Sequence, residues 1–388
     1  MDEISRDFTL LQVTPELETG GAEQTTLDIA AAVARAGGRS LVASRGGRMA
    51  ARLEASGARL IAMPVHSKNP LVIADNARRL AALIRREKVN LVHARSRAPA
   101  ISALWAARAT RTAFVTTYHG VYNARSALKR WYNSIMTRGD IVIANSAYTA
   151  GQILAKYPID PERLVTIPRG VDLARFDPAQ VSPERVEALR RAWGIEADDS
   201  RVKFLLGGRL TRWKGQTLLI DAAARLLASG EDRFLILLAG DDQGRGAYRG
   251  ELEGAIAAGG LTGHVKLVGH CDDMPAAYLL ADLACAPSLD PEPFGRTAVE
   301  PQAMGRPVLA ADHGAARETV IPGETGWLTP PGDADAWARA LQDAITISPE
   351  RRAAMGQAGQ NRTRQLYSVE AMCQATLDVY RRVLEAHR

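Results

Sequence analysis

The sequence is short of cysteine, with three in 388 residues, Cys271, Cys285 and Cys373, widely spaced and without a CxxC pair. Neither a disulfide framework nor a zinc cluster fits that pattern, whereas a reducing cytosol does. No uninterrupted apolar run approaches the roughly 18 residues of a membrane span. The opening MDEISRDF lacks the basic start and apolar stretch of a secretory leader, so a cytoplasmic protein is expected. Low-complexity tracts and short-period repeats are missing as well. Separated triads of acidic metal ligands are also lacking: Asp241-Asp242 and Asp272-Asp273 are adjacent pairs that read as loop or helix-cap features, and no metal or other cofactor is expected.

What is there describes an ordinary globular protein, 46% hydrophobic and 24% charged. At about 100–200 residues per domain the length accommodates two domains. Residues 1–187 hold 26 basic against 17 acidic side chains, a net +9, while the remainder is net −3. The basic half should therefore meet something anionic, and charge alone leaves nucleic acid, an acidic substrate and an anionic membrane face all open.

Short apolar runs at Phe8–Thr14, Leu41–Ser44, Leu60–Pro64, Leu91–Ala94, Phe114–Tyr118, Ile141–Asn145 and Leu164–Pro168 alternate with amphipathic stretches. The runs are apolar throughout, as strands buried on both faces of a parallel sheet must be, and the spacers are long enough for crossover helices. The segment Arg169–Asp199, with Pro178 and Pro183, interrupts the pattern, which restarts at Val202–Gly208, Phe234–Gly240, Val265–Gly269, Leu283–Pro287 and Pro307–Ala311. Beyond Trp327 the strand signal stops and residues 333–347, 350–366 and 369–386 read as helices. The expected fold is α/β: two facing doubly wound Rossmann-like domains, residues 1–180 and 181–366, with a deep interdomain cleft and a helical tail, residues 367–388, returning to the first domain.

Four segments carry polar residues at the carboxyl ends of these runs, where such sheets bind ligands. Ser288–Ala303, SLDPEPFGRTAVEPQA, places Glu292 in a loop and Glu300 about one turn inside a helix that starts near Arg296. The amides of Phe294, Gly295, Arg296 and Thr297 then lie at a helix N-terminus, which favours a phosphate. Spacing alone equally fits a helix-start acid and a solvated helix residue. Gly207–Gly215, GGRLTRWKG, presents Arg209 and Lys214, a planar fork and a point charge suited to a diphosphate leaving group. Gly20–Glu23, GGAE, follows the first run; Gly20 and Gly21 either let the backbone approach a ligand or merely make the turn. It is not GxGxxG, and no clear acidic ribose anchor ends a second strand, so a dinucleotide fold is disfavoured. Tyr118-His119-Gly120 puts a histidine at a strand end in the basic half.

In order and spacing these segments resemble glycosyltransferase family 4, retaining nucleotide-sugar-dependent enzymes of the GT-B fold, over essentially the whole chain. The resemblance rests on the GG turn, the histidine, the GRL…KG loop, the ExFG(x)4E motif of Glu292 and Glu300, the following GRPVLAAD and the helical tail. It implies that Arg209 and Lys214 bind the donor diphosphate and that Glu292 with the amides of Phe294 and Gly295 holds the transferred sugar. Glu300 takes the ribose hydroxyls, His119 contacts the donor sugar, and Gly21 approaches the diphosphate or the acceptor. Three places depart from the usual pattern: Arg169 stands where asparagine is common, Pro301 where alanine is usual, and HGAARE at 313–318 lacks a second glycine and a proline. They bear on the fine shape of the sugar pocket and remove none of the residues assigned to diphosphate or ribose.

No carboxylate in these motifs stands out as a covalent nucleophile, so a same-face transfer is expected, with the departing diphosphate helping to take the acceptor proton and protein cations in place of magnesium. Arg95 and Arg97, in HARSRAP, are placed to reach an anionic acceptor. Arg125–Arg138, RSALKRWYNSIMTR, reads either as an amphipathic helix for anionic headgroups or as a solvated helix packed by its apolar side. The function expected from the resemblance is hexose transfer from GDP-mannose or a UDP-hexose to a lipopolysaccharide-core or glycolipid acceptor, peripheral on the inner membrane. A nucleotide-sugar epimerase is the alternative enzyme, and the ExFG(x)4E segment argues against it. A nucleic-acid-binding protein is the non-catalytic alternative, and no aromatic-basic RNA signature or zinc finger supports it.

Overall fold

The structure, a computed structural model, describes residues 7–18, 20–122, 126–242, 244 and 246–387. Residues 1–6, most of the opening segment read for a leader, and Arg125, the first residue of the basic segment, lie outside the described residues. The chain divides into two compact units, one of Met1–Gly170 with Val369–Arg388 and one of Val171–Ser368.

In the first unit β1 (Thr9–Val13), β2 (Arg39–Ser44), β3 (Arg59–Ala62), β4 (Leu91–Ala94), β5 (Ala113–Tyr118), β6 (Ile141–Ala144) and β7 (Leu164–Thr166) form a 7-stranded parallel sheet in the order β3-β2-β1-β4-β5-β6-β7. The second unit holds β8 (Val202–Gly207), β9 (Phe234–Ala239), β10 (Val265–Gly269), β11 (Leu283–Ala286), β12 (Val308–Ala311) and β13 (Gly326–Thr329), parallel in the order β10-β9-β8-β11-β12-β13. Central strands such as β9, FLILLA, are buried at every position. That explains why they read as continuous apolar runs: helices cover both sheet faces and no side of the strand meets water. Both sheets reverse strand order once, between β1 and β4 and between β8 and β11, and a crevice opens at such a reversal because successive crossovers leave in opposite directions.

Two sequence readings change. The strand signal does not stop at Trp327, because β13 pairs with β12 over Val308↔Gly326 to Ala311↔Thr329. A Cβ at Gly326 would overlap the Val308 carbonyl, so the strand has to open on a glycine, a residue that hides strand character in sequence. The segment Arg125–Arg138 is not one helix: Ala127–Asn133 is α-helical and Ser134–Thr137 is a 3₁₀ turn. Ser126 caps the start by accepting from the Lys129 amide (3.2 Å), and the side chain of Ser134 donates back to the Trp131 carbonyl (2.6 Å), competing with helix continuation. Helix Val369–Ala386 packs on helix Gly21–Arg35 within the first unit, burying Met372, Leu377 and Tyr380. No helix among the described residues is long and apolar enough to cross a membrane.

Candidate active site

The loops after β8 and β11, the two strands at the reversal of the second sheet, meet because Gly215 allows it. Its φ is +79°, and a Cβ there would overlap the Pro287 carbonyl at the end of β11. The Leu289 amide donates to the Trp213 carbonyl (2.7 Å), fixing the two loops together. Arg212–Lys214 form one 3₁₀ turn, which aims Lys214 at the β11 loop.

The result is an ion pair 78 residues apart in sequence: Lys214 Nζ to Glu292 Oε1 at 2.7 Å, with side chains 12% and 15% exposed. The same carboxylate oxygen accepts from Ser288 Oγ (2.5 Å) and lies 3.5 Å from Thr297 Oγ1, while the Lys214 ammonium lies 4.5 Å from the Trp213 ring centroid. The Glu292 backbone is seated by the loop after β12. The Ala315 amide donates to its carbonyl (3.0 Å), His313 Nε2 donates to the Ser288 carbonyl (2.8 Å), and Gly314, φ +60°, leaves no room for a Cβ against Glu292. Of HGAARE the retained glycine is thus the sterically required one. Ala286, Ser288, Glu292, Gly295, Thr297 and His313 line an open hollow of about 250 Å³.

Helix Arg296–Ala303 starts at this hollow, with Gly295 at φ +81° and no side-chain cap, so its first N–H groups are available to an anion. Phe294 supplies only its backbone, because its ring is 2% exposed and packs edge-on against Tyr367 (5.7 Å). Glu300, buried, accepts from Arg296 Nε (2.7 Å) one turn back. Arg209 is exposed and makes no ion pair among the described residues. The site therefore holds two pre-paired cations, Lys214 on Glu292 and Arg296 on Glu300, one open cation, Arg209, and a helix N-terminus, a set that can bind a diphosphate and hydroxyls side by side.

The remaining predicted residues lie in the first unit. Gly20 is extended (φ 166°), and a Cβ at Gly20 or Gly21 would meet only the far end of a flexible side chain, the Glu23 carboxylate or the Arg169 guanidinium, so the local backbone requires neither glycine. Arg97 is engaged locally: it lies 4.0 Å from the Tyr122 ring centroid and donates to Asn133 Oδ1 (2.7 Å). Arg95 is an interior residue, 2% exposed. His119 follows β5 with both ring nitrogens buried and, among the described residues, without a hydrogen-bond partner. Burial, then Arg169 and Arg95, hold its pKa well below the usual imidazole range, and burial does the same to His93, which is bonded to Tyr380 and Thr117 at 2.6 and 2.7 Å. Sequence reasoning missed His93, Ser288 and His313; no spacing signal marks them, because each acts through a contact made only in the fold.

The two neutral histidines fix the sign of a pH effect. Below the usual imidazole pKa of about 6.5 the unfolded chain takes up protons that the folded chain refuses. Stability is therefore full above that pH and falls as pH drops, by up to ~1.4 kcal/mol per pH unit for each histidine. Urea unfolding between pH 7.5 and 5 should show this slope, and His119→Gln should lessen it; parallel profiles for parent and variant would contradict the assignment to His119.

Comparison with known proteins agrees with this geometry. Residues 19–175 match the family described as Glycosyltransferase Family 4 and residues 188–362 the family Glycosyl transferases group 1. The chain is 33% identical to a solved glycosyltransferase from Rickettsia africae, with TM-score 0.90 over 97% of this chain and 98% of that one. It is 26% identical to Anabaena Alr3699/HepE, solved in complex with UDP and glucose, with TM-score 0.81 over 96% and 99%. A curated relative, the D-inositol 3-phosphate glycosyltransferase of Salinispora tropica, is 34% identical over 66% of this chain, which spans 53% of that relative's length. The chain belongs to glycosyltransferase family 4 and has its two-sheet GT-B fold.

Proposed function

We propose that this protein transfers a hexose, with retention and without a metal, from GDP-mannose or a UDP-hexose to a lipopolysaccharide-core or other glycolipid acceptor. The observation that carries the reading is Lys214 held against Glu292 beside the N-terminus of helix Arg296–Ala303. In the proposed reaction the bond from the anomeric carbon to the diphosphate oxygen breaks, and the acceptor oxygen bonds to the same face. The acceptor proton passes to the departing phosphate oxygen. Arg209 and Lys214 stabilise the charge that develops there, a role worth most where water is excluded. Glu292 orients sugar hydroxyls, Glu300 the ribose, and neutral His119 is assigned to a hydroxyl of the donor sugar. Bound UDP and glucose in the Anabaena relative support a sugar-nucleotide donor. The inositol phosphate in the curated relatives' names makes a phosphorylated polyol a second acceptor class.

The test is transfer of label from GDP-mannose, UDP-glucose and UDP-galactose to bacterial lipid and core-oligosaccharide extracts in the presence of EDTA, with the product's anomeric configuration read by NMR. A retained configuration with EDTA present is expected. An inverted product, abolition by EDTA or no transfer from any donor would count against the reading.

The two glutamates should separate in calorimetry. Glu300→Ala is expected to weaken free nucleoside diphosphate by about 1–3 kcal/mol through lost ribose hydrogen bonds. Glu292→Ala should leave that affinity equal or tighter, because it frees Lys214 from a competing carboxylate, while turnover falls. Equal losses in both variants would contradict the division of roles.

For the basic half we propose peripheral association with the anionic inner face of a membrane, in the cytoplasm. Leu128 (74% exposed) and Trp131 (64%) stand out of the helix Ala127–Asn133 beside exposed Lys129 and Arg130. Each basic residue near such a surface adds about 1 kcal/mol, screened over ~8 Å at physiological salt. Binding to phosphatidylserine vesicles should fall as salt rises, and K129E with R130E should mimic that loss without altering nucleotide affinity. Equal binding to neutral and anionic vesicles, or none, would return the excess charge to an anionic acceptor.

A further inference from the structure

Helix Arg296–Ala303 opens against the usual charge pattern. Its first residue is a cation, its first turn holds no acidic side chain and Gly295 supplies no cap, so the Arg296 charge stands on the positive end of the helix dipole. What offsets that charge is Glu300, one turn on. Arg296 Nε donates to Glu300 Oε1 at 2.7 Å, and Nη2 reaches the same oxygen. Base before acid is the weaker order for a pair four residues apart on a helix.

The two partners are unequally placed. The Glu300 side chain is 11% exposed and that of Arg296 43%, so the acid is fixed within the fold while the base lies at the rim with room to swing. Behind the carboxylate is Tyr278, 1% exposed, whose hydroxyl is bonded to Glu300. Burial, and then the Glu300 charge, push the Tyr278 pKa well above its ordinary range, so it stays a neutral partner for the carboxylate whether or not the guanidinium is present. Among the described residues no second cation forms an ion pair with Glu300. Removing Arg296 without a replacement would leave a buried carboxylate short of compensation, and hydroxyls brought by a ligand can supply the replacement.

Ribose hydroxyls at Glu300 need the lone pairs that Arg296 occupies. A guanidinium released there sits at a helix N-terminus, where an arriving diphosphate presents paired oxygens that its planar fork fits. Each exchange therefore favours the other: hydroxyls replace guanidinium at Glu300, and phosphate replaces carboxylate at Arg296. A nucleoside offers only the first exchange and pyrophosphate only the second, whereas a nucleoside diphosphate offers both.

We propose that Arg296 is an exchangeable counter-ion, which neutralises Glu300 in the free protein and passes to the donor diphosphate as the ribose hydroxyls take its place. The inference rests on the assignment of Glu300 to ribose given above, and it goes beyond that assignment by building a demand for the diphosphate into the ribose subsite.

Calorimetric titration of the full chain with pyrophosphate tests the exchange without ribose. Arg296→Gln, at a half-exposed position, should weaken pyrophosphate about five- to tenfold, and Arg296→Lys, which keeps the charge and loses the fork, should weaken it less. Glu300→Gln, which keeps the shape and removes the charge, should tighten pyrophosphate about threefold or more by releasing Arg296, and that gain should vanish when Arg296→Gln is added. A gain of the same size in the Arg296→Gln background would mean that Glu300 acts only as a nearby negative charge, and would overturn the exchange. Unchanged affinity in Arg296→Gln, no gain in Glu300→Gln, or no pyrophosphate binding by any variant would overturn it as well. The sugar-transfer reading fails separately, in the parent chain, if no nucleoside diphosphate binds more tightly than pyrophosphate.

Discussion

Lys214→Ala is expected to lower turnover about 10²–10³-fold with the fold intact, and Arg209→Ala to act in the same direction and range. Both remove a charged donor from the proposed leaving group, but their surroundings differ. Lys214 is 12% exposed and paired at 2.7 Å, so its charge acts with little solvent screening, and Glu292 keeps only the Ser288 and Thr297 hydroxyls after its loss. Arg209 is exposed and starts unpaired among the described residues, which places its effect toward the lower end. Single-turnover rates with saturating donor separate the chemical step from binding. Rates within a few-fold of the parent for both variants would remove the diphosphate assignment.

Gly215→Ala is expected to damage both stability and activity. The left-handed conformation costs a β-carbon about 1–3 kcal/mol, and the new atom must also displace the Pro287 carbonyl. The loop that delivers Lys214 then moves, and a shift of about 1 Å in a reacting constellation is worth roughly 10²-fold in rate. Gly230→Ala supplies the control: its φ is +92° with no atom within 4 Å, so strain is added without overlap and away from the site. Denaturant unfolding should show losses in both variants, larger for Gly215→Ala, whereas turnover should fall only in Gly215→Ala. Similar turnover in the two would mean that the loop contact does not position Lys214.

The sheets were legible because burial on both faces leaves an unbroken apolar run; β9 is the clearest case and β13, opening on a sterically imposed glycine, the exception. The chemistry of the second unit was legible as motif order, since Lys214 and Glu292 each follow a strand end. Their contact was not, because it depends on Gly215 bringing two loops together across 78 residues. Arg95 and Arg97 illustrate the opposite limit. Sequence marks them as basic residues after a strand, but it does not say that one is interior beside His93 and the other stacked on Tyr122. Arg169 was visible as a departure from the family pattern, while its reason, the space left by Gly21 and the neighbouring His119 carbonyl, exists only in three dimensions.

The most direct test of the central claim, that the loops after β8 and β11 form a nucleotide-sugar site, is thermal unfolding of the parent and Lys214→Ala with UDP, GDP, ADP and their hexose derivatives. A ligand bound only by the folded chain at 100 times its dissociation constant stabilises it by about 2.7 kcal/mol. The account predicts a clear upward shift with one nucleotide base, UDP or GDP, together with its sugar derivative, and loss of most of that shift in the variant. No shift with any nucleotide, or an undiminished shift in Lys214→Ala, would contradict it.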